Sequence, residues 1–449
     1  MCTGKLSMSF YMILFYLQVL IGNVSEADWN RMQYYSRKVK IFTAVFDDDR
    51  VHPLTYFRIA QLQSSALLPS LRCLHYDMGK PSISHIFLFL SPSLDSVELF
   101  DINGIEDTVV GPLLTTLPSA CPMLSRIVLR VGDLSADVLK KSIVHFNQLR
   151  TLELFNAVFM GDFALWEALG TLPSLANFTL SAIDPHPMPA PKSGGPKYFD
   201  TLESLFIMGS FLLIQRLLSF IDSSCLKSIT VHPDIDYLHK EHDHTMHEDL
   251  FIPSMTMIAS KWSHTLQKLF ISTNLSGITH QISKCLMPLM DLHEMQTFHL
   301  RCRWVENMDD DMRRLVTSWP KIRFLNLKQT LISLPTLRII AENCPELRYL
   351  HTQLDISTVP SLDSFSKTIH NNLEVLKLTV AEVCPSASDT GITQTAQECR
   401  IQVAKYLDSI FPHLKSIEVL EETCQDSAIR DLIDHSFARV LVYYDEDEY

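Results

Sequence analysis

The chain has 449 residues, 47% of them apolar and 20% charged, with 38 Lys and Arg against 51 Asp and Glu. That composition excludes wholesale disorder, and a net charge of −13 argues against a dedicated nucleic-acid binder, whose affinity comes from Lys and Arg neutralising phosphates. Leu fills 63 positions and Gly only 13, which leaves few places for backbone to cradle a phosphate.

From the N-terminus, Leu6 to Ile21 forms an apolar run behind Lys5. It is short for a membrane span, which needs about 20 residues, and lacks a clean small-residue cleavage site for a signal peptide. Residues 1–26 are therefore read as an apolar segment, either a buried helix or the remnant of another domain. Secretion is the alternative, with sequons at Asn23, Asn177 and Asn274. Residues 27–70 are expected to form an N-terminal cap or linker.

From Leu71 a phrase recurs: apolar, two variable residues, apolar, one variable, apolar. Thirteen copies start at Leu71, Leu94, Leu124, Leu149, Leu175, Leu202, Leu226, Leu266, Met295, Ile322, Leu347, Leu373 and Leu414. Ten of the twelve intervals lie between 23 and 30 residues. The last four positions of each phrase alternate as a half-buried strand does. Between phrases lie stretches of helical period. Val138, Leu139, Ile143 and Phe146 form one stripe, and Leu337, Ile340, Ala341 and Cys344 another. A strand and a helix every 20–29 residues is the leucine-rich-repeat pattern. The expected fold is α/β, a leucine-rich-repeat solenoid or horseshoe with a parallel concave sheet and convex helices over residues 71–420. Pro69, Pro122, Pro173, Pro320, Pro345 and Pro412 sit just before phrases, where they end a helix without costing a strand hydrogen bond. Insertions are expected at about Pro233–Phe251 and Ala381–Thr395, and an exposed loop at Asp184–Pro196. Residues 421–449 are read as a C-terminal helix near 425–439 and an acidic tail.

The ten Cys contain no C-x-x-C pair and are read as reduced, mostly buried thiols of a cytoplasmic or nuclear protein. No catalytic motif appears, so no catalytic residue, cofactor or enzymatic activity is expected. His232, His239, His242, His244 and His247 crowd one insertion with Asp243 and Asp249. A solvated loop is favoured there over a zinc or copper site, and no metal is expected. Asp309–Asp311 lacks the spacing of a calcium loop and is read as acids at a helix N-terminus.

The fifth residue of each phrase lies between two core positions and is expected to face outward from the sheet. Along the array these residues are His75, Glu98, Val128, Glu153, Thr179, Phe206, Thr230, Phe270, His299, Asn326, His351, Lys377 and Glu418. Exposed aromatics flanked by charge suit a protein interface. Phe206, Phe270, His299, Asn326 and His351 are the candidate partner-binding residues, with Arg301 and Lys328 nearby.

Ahead of the repeats, residues 27–49 read ADWNRMQYYSRKVKIFTAVFDDD, with Asp28-Trp29, Arg31, Tyr34-Tyr35, Arg37 and Val39-Lys40. Within the repeats stand Cys121-Pro122-Met123-Leu124 and Cys344-Pro345-Glu346-Leu347. In this combination the chain, from about Ala27 onward, resembles the F-box and leucine-rich-repeat-like proteins of mushroom-forming fungi. The resemblance implies a non-enzymatic substrate-recognition subunit related to SCF-type ubiquitin ligases, in which the concave face holds a protein substrate. The F-box start L-P-x-E-x-L-x-x-I is not visible, so a Skp-type adaptor is expected as partner only if an F-box is present. No nucleic acid or membrane partner is expected. The alternatives are a stand-alone repeat binding module without a ligase link, and a secreted or membrane-anchored repeat receptor.

Overall fold

All thirteen phrases fold as strands, and a fourteenth strand precedes them. The computed structural model describes residues 25–44, 66–78, 83–100, 107–130, 134–157, 162–182, 198–233, 245–273, 282–302, 308–356, 359–360, 371–380 and 393–420, with Thr55, Arg58, Ile59 and Gln61. The run 6–21, the loop 184–196 and the segment 425–439 lie outside these residues.

The chain divides into two units, Met1–Glu203 with Phe220–Ser223, and Ser204–Ser219 with Ser224–Tyr449. The first holds strands β1 (Ile41–Ala44), β2 (Cys73–Asp77), β3 (Ser96–Phe100), β4 (Arg126–Arg130), β5 (Thr151–Ala157) and β6 (Asn177–Ala182). Its helices are α1 (Glu26–Ser36), α2 (Asp107–Ala120), α3 (Ala136–Ile143) and α4 (Phe163–Gly170), with a 3₁₀ turn at Ile83–Phe89. The second unit holds β7 (Ser204–Gly209), β8 (Ser228–Pro233), β9 (Lys268–Thr273), β10 (Thr297–Cys302), β11 (Phe324–Ser333), β12 (Tyr349–Asp355), β13 (Val375–Val380) and β14 (Ser416–Leu420). Between them run α5 (Phe211–Phe220), α6 (Thr245–Trp262), α7 (Ile282–Leu286), α8 (Asp309–Ser318), α9 (Leu334–Asn343) and α10 (Thr393–Ile410).

Within each unit the strands lie in chain order and pair parallel, a leucine-rich-repeat arrangement. The sheet begins inside the expected cap, because Ile41–Ala44 pairs residue by residue with Cys73–Tyr76.

Two main-chain devices repeat from turn to turn. The carbonyl of the second phrase position accepts both N–H groups that open the next strand: Asp95 and Ser96 donate to Arg72 O, and Gln296 and Thr297 to Gln267 O, at 2.8–2.9 Å. Before most strands a four-residue turn closes with the first phrase residue donating back, as in Leu124 to Cys121 O (3.1 Å), Ile322 to Trp319 O (3.2 Å) and Leu347 to Cys344 O (3.1 Å). The prolines fill the second place of these turns, where their fixed φ fits and no N–H is required. They therefore do more than end helices.

The helices start where their residues dictate. Ser135 accepts from Val138 N–H at the N-terminus of α3 and Ser333 from Thr336 N–H at that of α9. Asp309–Asp311 form the first turn of α8, as expected of acids at a helix N-terminus. The end of the insertion at 233–251 is helical, because α6 starts at Thr245. A register shift between Leu154 and Ala157 places Asn156 at φ 57°, a left-handed conformation that Asn tolerates.

Packing in the first unit is tight around Gly170. A Cβ there would lie 2.7 Å from Tyr198 Cβ and 2.9 Å from its Cδ1. Tyr198 cannot retreat easily, since its ring stacks on Phe220 at 4.4 Å and its hydroxyl donates to Glu167 Oε1 at 3.0 Å. Gly170→Ala is expected to lower stability by about 1–3 kcal/mol, the usual cost of overpacking. The urea midpoint by circular dichroism checks this, and an unchanged midpoint would mean that Tyr198 moves freely.

Candidate functional site

The fifth phrase positions form continuous rows across the sheet. In the first unit the register pairs Thr43 with His75, His75 with Glu98, Glu98 with Val128, Val128 with Glu153, and Glu153 with Thr179. In the second it runs from Phe206 through Thr230, Phe270, His299, Asn326, His351 and Lys377 to Glu418. The five candidate residues therefore stand on one row of the sheet face that carries no helix. Strand pleating adds two more rows to that face, formed by the third and seventh phrase positions.

Two row members are not accessible. Val128 is 1% exposed, ringed by Glu98, Glu153, Arg126 and Arg130 on its own face. His351, expected as a contact residue, is 3% exposed and needs correction from surface to floor. A bulge in β11 breaks the register between Leu327 and Leu331 and crowds the end of β12, where Thr352 Oγ1 donates to Thr330 O at 3.1 Å. Phe206, Phe270, His299 and Asn326 are half-buried.

The open face of the first unit is polar and satisfied within itself. His75 Nδ1 lies 2.8 Å from Glu98 Oε2, and Arg126 donates twice to Glu153 Oε1, at 2.9 and 3.1 Å. The Arg130 guanidinium lies between Phe100 and Phe155, 5.1 and 5.2 Å from their ring centres, and 3.9 Å from Glu98.

The open face of the second unit is aromatic. Phe206 stacks on His232 with ring centres 5.4 Å apart, and Phe270 meets His299 at 5.6 Å. On the third-position row Phe324 and Tyr349 stack at 4.1 Å, 3° from parallel. Sequence reasoning missed these two because it followed the fifth position alone. It also grouped His232 with the insertion histidines, whereas His232 belongs to β8 and to this face. The side chains of His239, His242, His244 and His247 lie outside the described residues. Among the described residues no cluster of His, Cys, Asp or Glu could hold a metal ion.

Electrostatics keep the imidazoles neutral. Burial, then Arg301 and His232, pushes His299 down to about 4, and burial with Arg301 lowers His232. Unfolded imidazoles titrate near about 6.5. A depressed folded value means that this contribution to stability is fully present above about pH 6.5 and is lost as pH falls through 4. The urea midpoint is therefore expected to fall over that interval, and His299→Gln is expected to flatten the decline. Parallel curves for the two proteins would contradict the assignment.

Cys121 and Cys344 are buried at helix ends, and burial pushes their thiols up to about 11 and about 12. Cys225 is exposed, unlike the expectation for most of the cysteines. No described helix is long and apolar enough to cross a membrane.

Neither a protein-family model nor a curated protein sequence matches the chain. Among solved structures it is similar to a chain of the yeast Rad7–Elc1 complex, with 14% identity and a TM-score of 0.36 over 86% of this chain and 95% of that one. It is also similar to the leucine-rich-repeat-containing protein LegL7 from Legionella pneumophila, with 11% identity and a TM-score of 0.35 over 90% of this chain and 99% of that one.

Proposed function

We propose that this chain is a non-enzymatic protein-interaction scaffold, with the open face of the second unit holding a partner protein. The observation that carries the reading is the half-buried aromatic and imidazole surface of Phe206, His232, Phe270 and His299. Rings already packed against one another are rigid and partly desolvated, so covering them costs little ordering entropy and removes apolar area from water. Asn326 continues the row with polar contacts, and His351 forms its floor. The narrower reading is a substrate-recognition subunit related to SCF-type ubiquitin ligases, supported by the resemblance of residues 27–49 and of the Cys-Pro turns. In that role the chain supplies proximity: it holds a substrate while other subunits supply the ubiquitin chemistry. A cytoplasmic or nuclear location goes with this role.

The scaffold reading is tested by replacing Phe206 and Phe270 together with Ala. Polypeptides that co-purify with the wild-type chain from its host are expected to be lost with the double variant and kept with Met123→Ala, which alters an exposed turn residue. Retention by all three proteins would overturn it. The ligase reading is tested separately by co-expression with the host's Skp-type adaptor. Co-elution through size exclusion is expected if the chain carries an F-box, and its failure would leave a stand-alone binding module.

A further inference from the structure

The open face of the second unit has a charge opposite to that of the chain. The protein carries −13 overall, yet the three outward rows of β7–β14 present Lys268, Arg301, Lys328 and Lys377 against a single acid, Glu418. Lys377 Nζ is spent on Glu418 at 2.6 Å. Lys268 and Arg301 are exposed, and no described carboxylate pairs with either. The first unit differs, since its Arg126 and Arg130 are matched by Glu153 and Glu98.

The spacing of the two cations is specific. Lys268 on β9 is in register with Thr297 on β10, and Arg301 lies four residues further along β10. At about 3.3 Å per residue and about 4.8 Å between strands, their backbones are roughly 14 Å apart. Midway between them, Phe270 and His299 are paired in register with their rings in contact. An extended polypeptide has the same rise, and its residues i, i+2 and i+4 share one face.

We propose that this face, within the scaffold role above, binds an extended acidic segment of a partner protein with the pattern acid–x–apolar–x–acid. The two carboxylates meet Lys268 and Arg301, and the apolar side chain lies over Phe270 and His299. The neutral state of His299 keeps the centre of the site apolar at neutral pH. A face with these few cations on a chain of net charge −13 is poorly suited to hold a polynucleotide, which favours a peptide.

The test is selection by the full chain from a library of 15-residue peptides, with a single-stranded RNA oligonucleotide of equal length as a parallel probe. Wild type is expected to enrich Asp/Glu–x–Phe/Leu–x–Asp/Glu over the Asn/Gln counterpart by about tenfold at low salt, and less at high salt. Lys268→Glu with Arg301→Glu is expected to reverse the preference toward Lys/Arg at both ends. Both sites are exposed, so circular dichroism should show an unchanged fold. Enrichment of neutral or basic peptides that still requires Phe206 and Phe270 would overturn the acidic-segment proposal and leave the scaffold reading intact. Binding of the oligonucleotide with no peptide enriched would overturn both.

Discussion

Replacing Trp319 with Ala is expected to lower the stability of the second unit by about 3–5 kcal/mol, the range for removing a large buried aromatic side chain. The indole is fully buried and packs on Phe298 with ring centres 4.8 Å apart. It is also the first residue of the turn that launches β11, since Ile322 N–H donates to Trp319 O at 3.2 Å. Its Nε1 donates to Leu289 O at 3.0 Å, tying the 3₁₀ turn Met287–Asp291 to the next repeat. Ala would open a cavity between two turns and remove the indole donor from Leu289 O, which keeps the Leu292 N–H. Trp319→Phe keeps most of the volume and loses only the hydrogen bond, so its cost should be near 1–2 kcal/mol. Urea unfolding followed by circular dichroism measures both. Equal losses in the two variants would show that the hydrogen bond, not the volume, carries the effect.

Asn371→Leu is expected to cost about 2–4 kcal/mol, although Asn and Leu have similar volumes. Asn371 is 1% exposed. Its Nδ2 donates to Ala341 O and Cys344 O, both at 3.1 Å, and its Oδ1 accepts from Leu373 N–H at 2.7 Å. The side chain thus caps the C-terminal carbonyls of α9 from the neighbouring turn, at a place where other turns carry Pro. Leu would leave the Ala341 carbonyl and the Leu373 N–H buried without these partners, each costing about 1–3 kcal/mol before relaxation, while Cys344 O keeps the Leu347 N–H. Asn371→Asp keeps the acceptor and turns a carboxylate oxygen toward the carbonyls, so it should be no milder. Thermal unfolding and hydrogen exchange at Leu373 check both variants. Exchange at Leu373 as slow as in wild type would mean that another group replaces the cap.

Much of the architecture was legible because a repeat stacks like on like. Once Leu74, Val97 and Ile127 are read as inward positions, parallel stacking brings each phrase beside its neighbour without further information. Strand β1 escaped because Ile41–Ala44 lacks the leading Leu-x-x-Leu, and its pairing depends on Cys73–Tyr76 across a long connection. The candidate row was legible for the same reason as the strands. Its accessibility was not, since the burial of Val128 and His351 depends on long neighbouring side chains and on a bulge three residues wide. Phe324, Tyr349 and His232 joined the site only when the register set three rows side by side. Asn371 was silent in the sequence, because its role is to satisfy carbonyls about thirty residues away.

The most direct measurement on the central claim is photo-crosslinking inside the host cell. Benzoylphenylalanine is placed at position 270 on the open sheet face, and in a control at position 287, an exposed Met on the helical side. Discrete polypeptide adducts are expected from position 270, absent from position 287, and lost when Phe206 is also replaced by Ala. No adducts at 270, or the same adducts at both positions, would contradict the claim that this face holds a partner.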